Sequence, residues 1–363
     1  MMSIRKKLLM LGVFAIIWGT QHEPIAAAQP QVAKVEFVVG DYLKSEQGSA
    51  RPEDFPFHRP FGLDFDTSGR MYIVELEGGR VFSLSPGQAP QHISGDGSKS
   101  YWGDGGPWKQ ATYNGMHNIA ISRAGKAYIA DTWNHCVREV DLSSGMISTV
   151  AGTGKPGFSG DGGPAKQAQF DYVMCVSLDP EETALFIADL KNKRIRTVKL
   201  ETGVVETIAG NGQQGVPKGG QKAMAAPLVD PRAVAVDHDG RVYILERGGH
   251  ALRRIESDGT LKTVVGTGKP GFKDGSARQA EIKAPKHLCV DQQNRVYIAD
   301  EANGAIRCYD PETETVSTIL GRGHGDPRVT LDQPHGVCIE RGDLYVVDSS
   351  HNRLFRVIFK ETE

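Results

Sequence analysis

The stretch Tyr128-Ile-Ala-Asp131 decides the fold of this chain, because versions of it occur six times along the 363 residues. The six copies are Tyr72-Ile-Val-Glu75, Tyr128-Ile-Ala-Asp131, Phe186-Ile-Ala-Asp189, Tyr243-Ile-Leu-Glu246, Tyr297-Ile-Ala-Asp300 and Tyr345-Val-Val-Asp348. A short apolar run that ends in a turn precedes each copy, and a third apolar run follows it. A fourth run ends in glycine at Gly95, Gly152, Gly210, Gly266 and Gly321. The chain is therefore a repeat of roughly 55–58 residues with four strand-like segments in each unit.

Four short segments per unit, rich in Val, Ile and Tyr and bounded by turn residues, indicate one antiparallel sheet per repeat. Sheets placed radially form a β-propeller, in which both faces of each blade are covered and the strands can be apolar throughout. A solenoid is the alternative, but four strands per unit and a count of six favour a closed ring. We predict an all-β, six-bladed β-propeller of four-stranded antiparallel blades. The blades are expected at residues 60–97, 115–154, 172–212, 231–268, 285–323 and 334–359 with 35–40.

The two chain ends are expected to meet in the sixth blade. Its repeat has three strands, through Asn352 to Phe359, and then the chain stops. Val35-Glu-Phe-Val-Val-Gly40 resembles the fourth strands VETIAG (205–210) and LKTVVG (261–266). We expect this segment to complete the last blade and to close the ring.

Residues 1–28 have the pattern of a signal peptide. Arg5, Lys6 and Lys7 precede the apolar run Leu8–Gly19, which is shorter than the ~20 residues that span a bilayer, and Ala26-Ala27-Ala28 offers a cleavage site before Gln29. An uncleaved anchor is the alternative. We expect export to a periplasm or to the extracellular space, with no membrane span after cleavage, and a monomer.

The net charge of −2, from 42 basic and 44 acidic residues, provides no electrostatic footprint for nucleic acid or for an anionic membrane. The cysteines are Cys136, Cys175, Cys289, Cys308 and Cys338, and none has C-x-x-C spacing. Each lies in an apolar, strand-like context, which favours small buried side chains over a zinc or redox site.

The units P-x-G-ϕ-x-ϕ-D, Y-I-A-D and N-x-R-I resemble NHL repeats, with the best agreement at residues 128–154 and 186–212. Blades one and four depart from the pattern, with Glu75 and Glu246 for Asp and Gly78 and Gly249 for Asn. Gly157-Phe-Ser-Gly-Asp-Gly-Gly-Pro-Ala165 resembles a loop of secreted bacterial NHL proteins; 103–107 and 273–277 are further copies. Without a following Lys-Ser/Thr or alternating acids, these loops are interpreted as turns between blades and not as phosphate or calcium sites.

One end of a propeller channel gathers the entries to the innermost strands and the turns between strands two and three, which makes it the natural place for a ligand. The strand-two acids Asp131, Asp189, Asp300 and Asp348 are candidates there. They are also suited to bind backbone N–H groups of a tight hairpin, together with Asn134, Asn192 and Asn303.

The entry residues differ between blades and are more informative. They are Phe61, His117, Met174, Arg232, Lys286 and His335, with Asn118 and His287 one residue further along. Imidazole can bind a metal or act as a base, whereas Arg and Lys suit a carboxylate or a phosphate. Candidate catalytic residues are therefore His117, Arg232, Lys286 and His335.

Two distant resemblances imply an enzyme. Peptidyl-amidating-lyase-like propellers bind zinc through three histidines at this position in alternate blades, and here the positions hold His117, Arg232 and His335. The arginine leaves His117 and His335 as a two-ligand set, which puts zinc in doubt. Gluconolactonase-like propellers share the ring and use a metal site of Glu, Asn and Asp, for which Glu75, Asn118 and Asp189 could approach one axis. Their E-G-P-x-W entry is replaced here by Arg59-Pro60-Phe61-Gly62, which weakens this interpretation. A divalent metal, zinc or calcium, is thus a possible cofactor but not a firm prediction.

Two hypotheses of function follow. The first is an exported binding scaffold that presents its loop-rich channel face to a protein, a glycan or a small molecule. Trp102 and Trp108 in the loop 99–113 would suit stacking on a sugar or a protein contact, although they could also pack over the base of the loop. The alternative is a metal- or His-dependent hydrolase or lyase at the channel mouth.

Overall fold

The structure is a computed structural model that describes residues 29–39, 57–86 and 88–360. The predicted signal peptide and Gly40, the last residue of the expected closing segment, lie outside the described residues.

Six antiparallel sheets follow one another along the chain, and the prediction of a six-bladed propeller is confirmed. Blade one contains strands Pro60–Phe65, Met71–Glu75, Val81–Leu84 and Gln91–Ser94, and blade two Met116–Ile121, Lys126–Asp131, Cys136–Asp141 and Met146–Ala151. Blade three contains Val173–Leu178, Ala184–Asp189, Arg194–Lys199 and Val205–Ala209, and blade four Pro231–Val236, Val242–Glu246, Ala251–Ile255 and Leu261–Val265. Blade five contains His287–Val290, Val296–Asp300, Ala305–Asp310 and Thr315–Leu320, with Gly275–Ser276 added at its outer edge. Blade six contains Pro334–Glu340, Asp343–Asp348, Arg353–Phe359 and Val32–Val39.

The N-terminal strand closes the ring as expected. Val32–Val39 pairs antiparallel with Arg353–Phe359, in a register that places Val35 opposite Val357 and Phe37 opposite Phe355. The rings of Phe37 and Phe355 lie 4.6 Å apart between centroids. Since one strand of the last blade comes from the other end of the chain, the two ends cannot separate without opening the ring.

The hydrophobic core lies between neighbouring blades. Tyr72 and Val74 of blade one pack with Ile119 and Ile129 of blade two, and equivalent clusters fill the other interfaces around the ring. The innermost strands come so close at the axis that a Cβ on Gly62 would collide with the backbone of Asn118. The channel is therefore narrow and is filled by side chains.

The glycines that end the fourth strands have a steric role. Gly95, Gly152, Gly210, Gly266 and Gly321 all have positive φ, between 80° and 100°. A Cβ at each would also collide with a backbone carbonyl in the turn between strands two and three. Glycine recurs there because the chain must turn left-handed while it touches another hairpin.

The G-D-G-G-P loops lie between blades and pair with the blade that follows. Pro107 bridges Met146, the first residue of a fourth strand, and Pro164 bridges Val204, directly before the next fourth strand. Asp104, Asp161 and Asp274 form ion pairs with Arg138, Arg196 and Arg307 of the following third strands. Each carboxylate also accepts a hydrogen bond from a fourth-strand threonine, Thr149, Thr207 or Thr318. These loops protect the outer edges of the blades.

In the described part of the chain, every helical segment is a single 3₁₀ turn. They span Trp108–Gln110, Thr132–Asn134, Ala165–Gln167, Ala223–Ala225, Glu301–Asn303 and Ser349–His351. Among the described residues, no helix has the length and hydrophobicity needed to cross a membrane. All five cysteines are unpaired, and Cys136, Cys175 and Cys308 are buried, as expected of small core side chains.

Closure through the N-terminal strand can be tested with two aspartates on the same strand. Val35 is buried, and Val35→Asp should lower the free energy of unfolding by about 3 kcal/mol or more, because it places an unpaired charge in the core between blades five and six. Ala33 is exposed, and Ala33→Asp should change the stability by less than about 0.5 kcal/mol. Chemical denaturation measures both variants, and equal stability of the two would contradict the closure.

Candidate ligand site at the channel mouth

The strand-two acids are fully buried and bind groups of the ring itself. Asp131 accepts hydrogen bonds from the backbone N–H of Asn114 and the side chain of Asn134, at 2.8 and 2.9 Å, and lies 3.5 Å from Arg138. Asp189 and Asp300 make the same three contacts in blades three and five, and Asp348 makes corresponding ones with His351 in place of Asn. Each acid thus joins the loop that enters its blade to the third strand, and the predicted ligand role of Asp131, Asp189, Asp300 and Asp348 stays untested.

In blades one and four, a glutamate with a glycine replaces the Asp–Asn pair of the other hairpins, and the glutamate still binds the loop that enters the blade. Glu246 accepts from the backbone N–H of Val229 at 2.7 Å and from two nitrogens of Arg253 at 2.8 and 2.6 Å. The longer carboxylate occupies the space that asparagine uses elsewhere, and a Cβ on Gly249 would collide with it. Glu75 and Gly78 are arranged in the same way. The two departures from the repeat pattern therefore depend on each other.

A double-mutant cycle on blade four tests this dependence. Gly249→Asn should destabilise the protein because the new side chain collides with Glu246, and Glu246→Asp should destabilise it because the shorter acid withdraws from Arg253. Together the two changes recreate the Asp–Asn pair of blades two, three and five. We expect a favourable coupling energy of at least about 1 kcal/mol in urea denaturation. Simple addition of the two single losses would contradict the proposed role of the pair.

A cavity of about 690 Å³ opens at the channel end where the strand entries meet. Its aromatic wall consists of Phe61, Trp133 and Tyr172, and Met174, Leu190 and Val229 add apolar surface. His117, Arg232 and Lys286 also line it, so the structure brings together five of the six predicted entry residues. Its size is typical of a site for a small molecule.

The sixth entry residue, His335, lies directly behind Arg232. Nη2 of Arg232 lies 3.0 Å from Nε2 of His335, and Nδ1 of His335 lies 3.2 Å from the carbonyl oxygen of Phe61. Because arginine only donates and a carbonyl only accepts, His335 is neutral, with its proton on Nδ1 and its Nε2 lone pair facing Arg232. The ring of His335 also stacks on Phe61, with 3.6 Å between the centroids. These contacts hold the guanidinium in a fixed orientation.

His117 is the second imidazole of the mouth and is also neutral. Its Nδ1 donates to the carbonyl oxygen of Gly115 at 2.9 Å, which leaves the lone pair on Nε2. Burial, followed by the charge of Arg232, holds the pKa of His117 and of His335 well below the usual range. Burial also lowers the pKa of Arg232, to about 9, so this guanidinium stays cationic at neutral pH.

The charges around the cavity are mostly positive. Among the residues that the structure describes, six cationic side chains and one acid, Asp230, line it; the cations are Arg59, Lys191, Lys193, Arg232, Arg247 and Lys286. Three of the cations form ion pairs, namely Arg59 with Glu77, Arg247 with Asp230 and Lys286 with Glu301. Arg232, Lys191 and Lys193 have no acidic partner among the described residues. Within the described part of the chain, the positive charges at the mouth therefore outnumber the negative ones.

Asn118 and His287 lie deeper and do not reach the mouth cavity. Asn118 Nδ2 and His287 Nε2 are 2.9 Å apart, and Asn118 Oδ1 accepts from the backbone N–H of Val176 at 2.8 Å. Both residues line a separate cavity of about 270 Å³ together with Cys175 and Asp64. Burial raises the pKa of Asp64 to about 6. Asn118 and His287 thus belong to a second cavity that is separate from the one at the mouth.

The two tryptophans of the loop 99–113 lie away from the mouth. Trp102 is 61% exposed and borders an outer cleft of about 430 Å³ with Tyr101, Asp104 and Gln110. Trp108 is half-buried and packs against the core between blades one and two. Trp108 thus packs over the loop base, whereas Trp102 is free to contact a ligand of its own.

The donor set does not fit the zinc site that the resemblance to amidating lyases would imply. The ring centroids of His117 and His335 lie 6.2 Å apart, and the charged Arg232 binds the Nε2 lone pair that His335 would give to a metal. Within the described residues, no three His, Cys, Asp or Glu side chains form a group that could hold a metal ion. The predicted pair of His117 and His335 is close in space but is not arranged as ligands.

Several cavity residues were missing from the sequence prediction. Trp133, Lys191 and Arg247 lie between the strand-two acid and the residue three positions later, on the turn that faces the mouth. The sequence pattern predicts this turn at the channel mouth, but only its acids and asparagines were candidates. The residues between the acid and the asparagine differ from blade to blade, and this variation is the sequence signal that could have identified Trp133, Lys191 and Arg247.

Comparisons with known proteins agree with this architecture. The family model of the Teneurin NHL domain matches residues 201–271, and the NHL repeat model matches residues 331–356. NHL repeat-containing protein 2 of Bos taurus is 27% identical over 363 residues, covering 88% of this chain and 49% of its own length. Protein SUPPRESSOR OF QUENCHING 1, chloroplastic, of Arabidopsis thaliana is 25% identical over 279 residues, covering 74% and 26%. The chain thus spans about a quarter to a half of these relatives.

Solved structures show the same fold at low sequence identity. A protein of unknown function from Bacteroides thetaiotaomicron superposes with a TM-score of 0.65 at 16% identity, covering 90% of this chain and 76% of its own. An auxiliary nutrient binding protein from Bacteroides ovatus has a TM-score of 0.61 at 14% identity, covering 84% and 70%. A gluconolactonase-like protein has a TM-score of 0.57 at 10% identity, covering 92% and 98%. The chain is a six-bladed β-propeller, and two stretches of it match NHL models.

Proposed function

We propose that this chain is a binding propeller that takes a small-molecule ligand in the cavity at its channel mouth. The observation that carries the proposal is the cavity of about 690 Å³, in which an aromatic wall and several convergent polar side chains come from different blades. Small-molecule sites usually combine apolar walls with a few precisely placed polar groups, and in this cavity the polar part of the lining is the larger one. The auxiliary nutrient binding protein among the structural neighbours is consistent with this kind of role.

The ring provides the rigidity that such a site needs. The residues that line the cavity sit on strand entries and hairpin turns that the buried acids fix to the third strands. A preorganised site loses little conformational entropy when the ligand binds. Export through residues 1–28 is part of the proposal and would let the propeller meet its ligand outside the cytoplasm.

The alternative of a hydrolase or lyase needs a reactive group at the mouth. Among the described candidates at the mouth, His117 keeps an available Nε2 lone pair, whereas His335 is bound to Arg232 and Lys286 forms an ion pair with Glu301. One neutral imidazole without an orienting acid is a weak basis for catalysis. The binding function is therefore the one that the geometry favours.

Two tryptophan-to-alanine variants, one in the mouth cavity and one outside it, test where the ligand binds. A metabolite panel is first screened by the shift in melting temperature of the intact protein, and a compound that binds is then measured by isothermal titration calorimetry. Trp133→Ala removes part of the cavity wall and should weaken binding at least about fivefold, equivalent to about 1 kcal/mol. Trp102→Ala removes an exposed ring outside the mouth and should leave the affinity unchanged.

Two outcomes would contradict the proposed function. The first is a panel in which no compound binds. The second is loss of binding in Trp102→Ala with normal binding in Trp133→Ala, which would move the site to the outer cleft.

A further inference from the structure

We propose that the ligand of the channel mouth carries an acid group, a carboxylate or a phosphate, and that this group binds the guanidinium of Arg232. The inference rests on the proposed function, because it names the chemical class of the ligand for the same cavity. Two independent features support it: the unsatisfied hydrogen-bond donors of Arg232 and the uncompensated charge at the rim.

Arg232 is exceptional among the buried arginines of the ring. The other five each lie within 3.5 Å of a buried carboxylate, in the pairs Arg138–Asp131, Arg196–Asp189, Arg253–Glu246, Arg307–Asp300 and Arg353–Asp348. Arg232 is only 3% exposed, yet it has no acidic partner in the part of the chain that the structure describes. A buried charge without a counter-charge is strongly unfavourable for folding. Its position in the wall of a cavity suggests that the counter-charge comes from outside.

Arg232 also has unused hydrogen-bond donors. Its Nη2 donates to His335, but Nε and Nη1 lack a hydrogen-bond partner among the described residues. Buried donors almost always have partners, and guanidinium is suited to carboxylate and phosphate oxygens. Since His335 is fixed by Phe61, the guanidinium is already oriented when the ligand arrives. An acid group would satisfy both the charge and the donors.

The rim of the cavity provides the second argument. Lys191 and Lys193 lie on the turn of blade three, and neither has an acidic partner among the described residues. Their charges add to that of Arg232, so the mouth attracts anions although the whole chain has a net charge of −2. The wall of Phe61, Trp133 and Tyr172 favours a carbon skeleton next to the acid group. An aromatic or alkyl acid therefore fits better than a simple inorganic anion.

Pairs of small molecules that differ in charge test the inference on the intact protein. Benzoate and phenyl phosphate are compared with benzamide and phenol by isothermal titration calorimetry at neutral pH and low salt. At least one of the two acids should bind more than about tenfold tighter than its neutral counterpart. Whichever acid binds more tightly, benzoate or phenyl phosphate, shows whether the site prefers a carboxylate or a phosphate.

Arg232→Gln should remove this preference, so that benzoate binds no better than benzamide. Because the change also removes an unpaired buried charge, the variant should melt at the same temperature as the wild type or higher. The matched control is Arg253→Gln, which breaks the buried pair with Glu246 and should lower the melting temperature. A destabilised Arg232→Gln, with unchanged preference for acids, would assign Arg232 a purely structural role and overturn the inference.

A second variant keeps the test informative if Arg232→Gln does not fold. Lys191→Glu with Lys193→Glu alters only the rim and should weaken the binding of benzoate several-fold, with a smaller dependence on salt. Equal affinity of acids and neutral counterparts in the wild type would overturn the acid preference while leaving the binding function intact. Absence of any ligand from the metabolite panel, in contrast, would overturn the proposed function itself.

Discussion

The structure depends on one interaction that is repeated in every blade, the buried carboxylate at the end of strand two. It binds the backbone N–H of the loop that enters the blade and an arginine on strand three or, in blade one, just before it, as Asp300 does with Lys283 and Arg307 at 2.7 and 2.9 Å. A buried acid of this kind is stable only when its partners stay in place, because an unpaired charge in the interior is strongly unfavourable. The interaction therefore fixes both the hairpin turn and the strand entry that face the channel mouth.

This arrangement separates the scaffold from the site. The repeated residues hold the backbone, while the positions beside them are free to differ between blades. Thr132 and Trp133 in blade two correspond to Leu190 and Lys191 in blade three and to Arg247 and Gly248 in blade four. The mouth cavity is built from these variable positions. Ligand specificity can thus change without a change in the fold.

Most of the fold could be predicted from the sequence, because the period of the repeat and the missing fourth strand of the last unit are visible in the chain itself. The site was predictable only in part. Arg232, His117 and Lys286 were identified from their alignment between blades, but the contact of Arg232 with His335 joins blades four and six and depends on side-chain packing at the axis. Glu246 and Gly249 can both be recognised in the sequence as departures from the repeat pattern. The reason that they occur together is a steric collision that only the structure shows.

Arg232 connects the physical account with the function. Five buried arginines neutralise acids of the ring, whereas the sixth, Arg232, lines a cavity with an aromatic wall and a positive rim and has two donors without a partner among the described residues. The most direct test is a crystal structure with 4-bromobenzoate, located by the anomalous scattering of bromine. The account predicts a bromine peak in the mouth cavity beside Trp133 and Tyr172, with the carboxylate within about 3 Å of Nε or Nη1 of Arg232. Bromine confined to the outer cleft at Trp102, with none in the mouth, would contradict it.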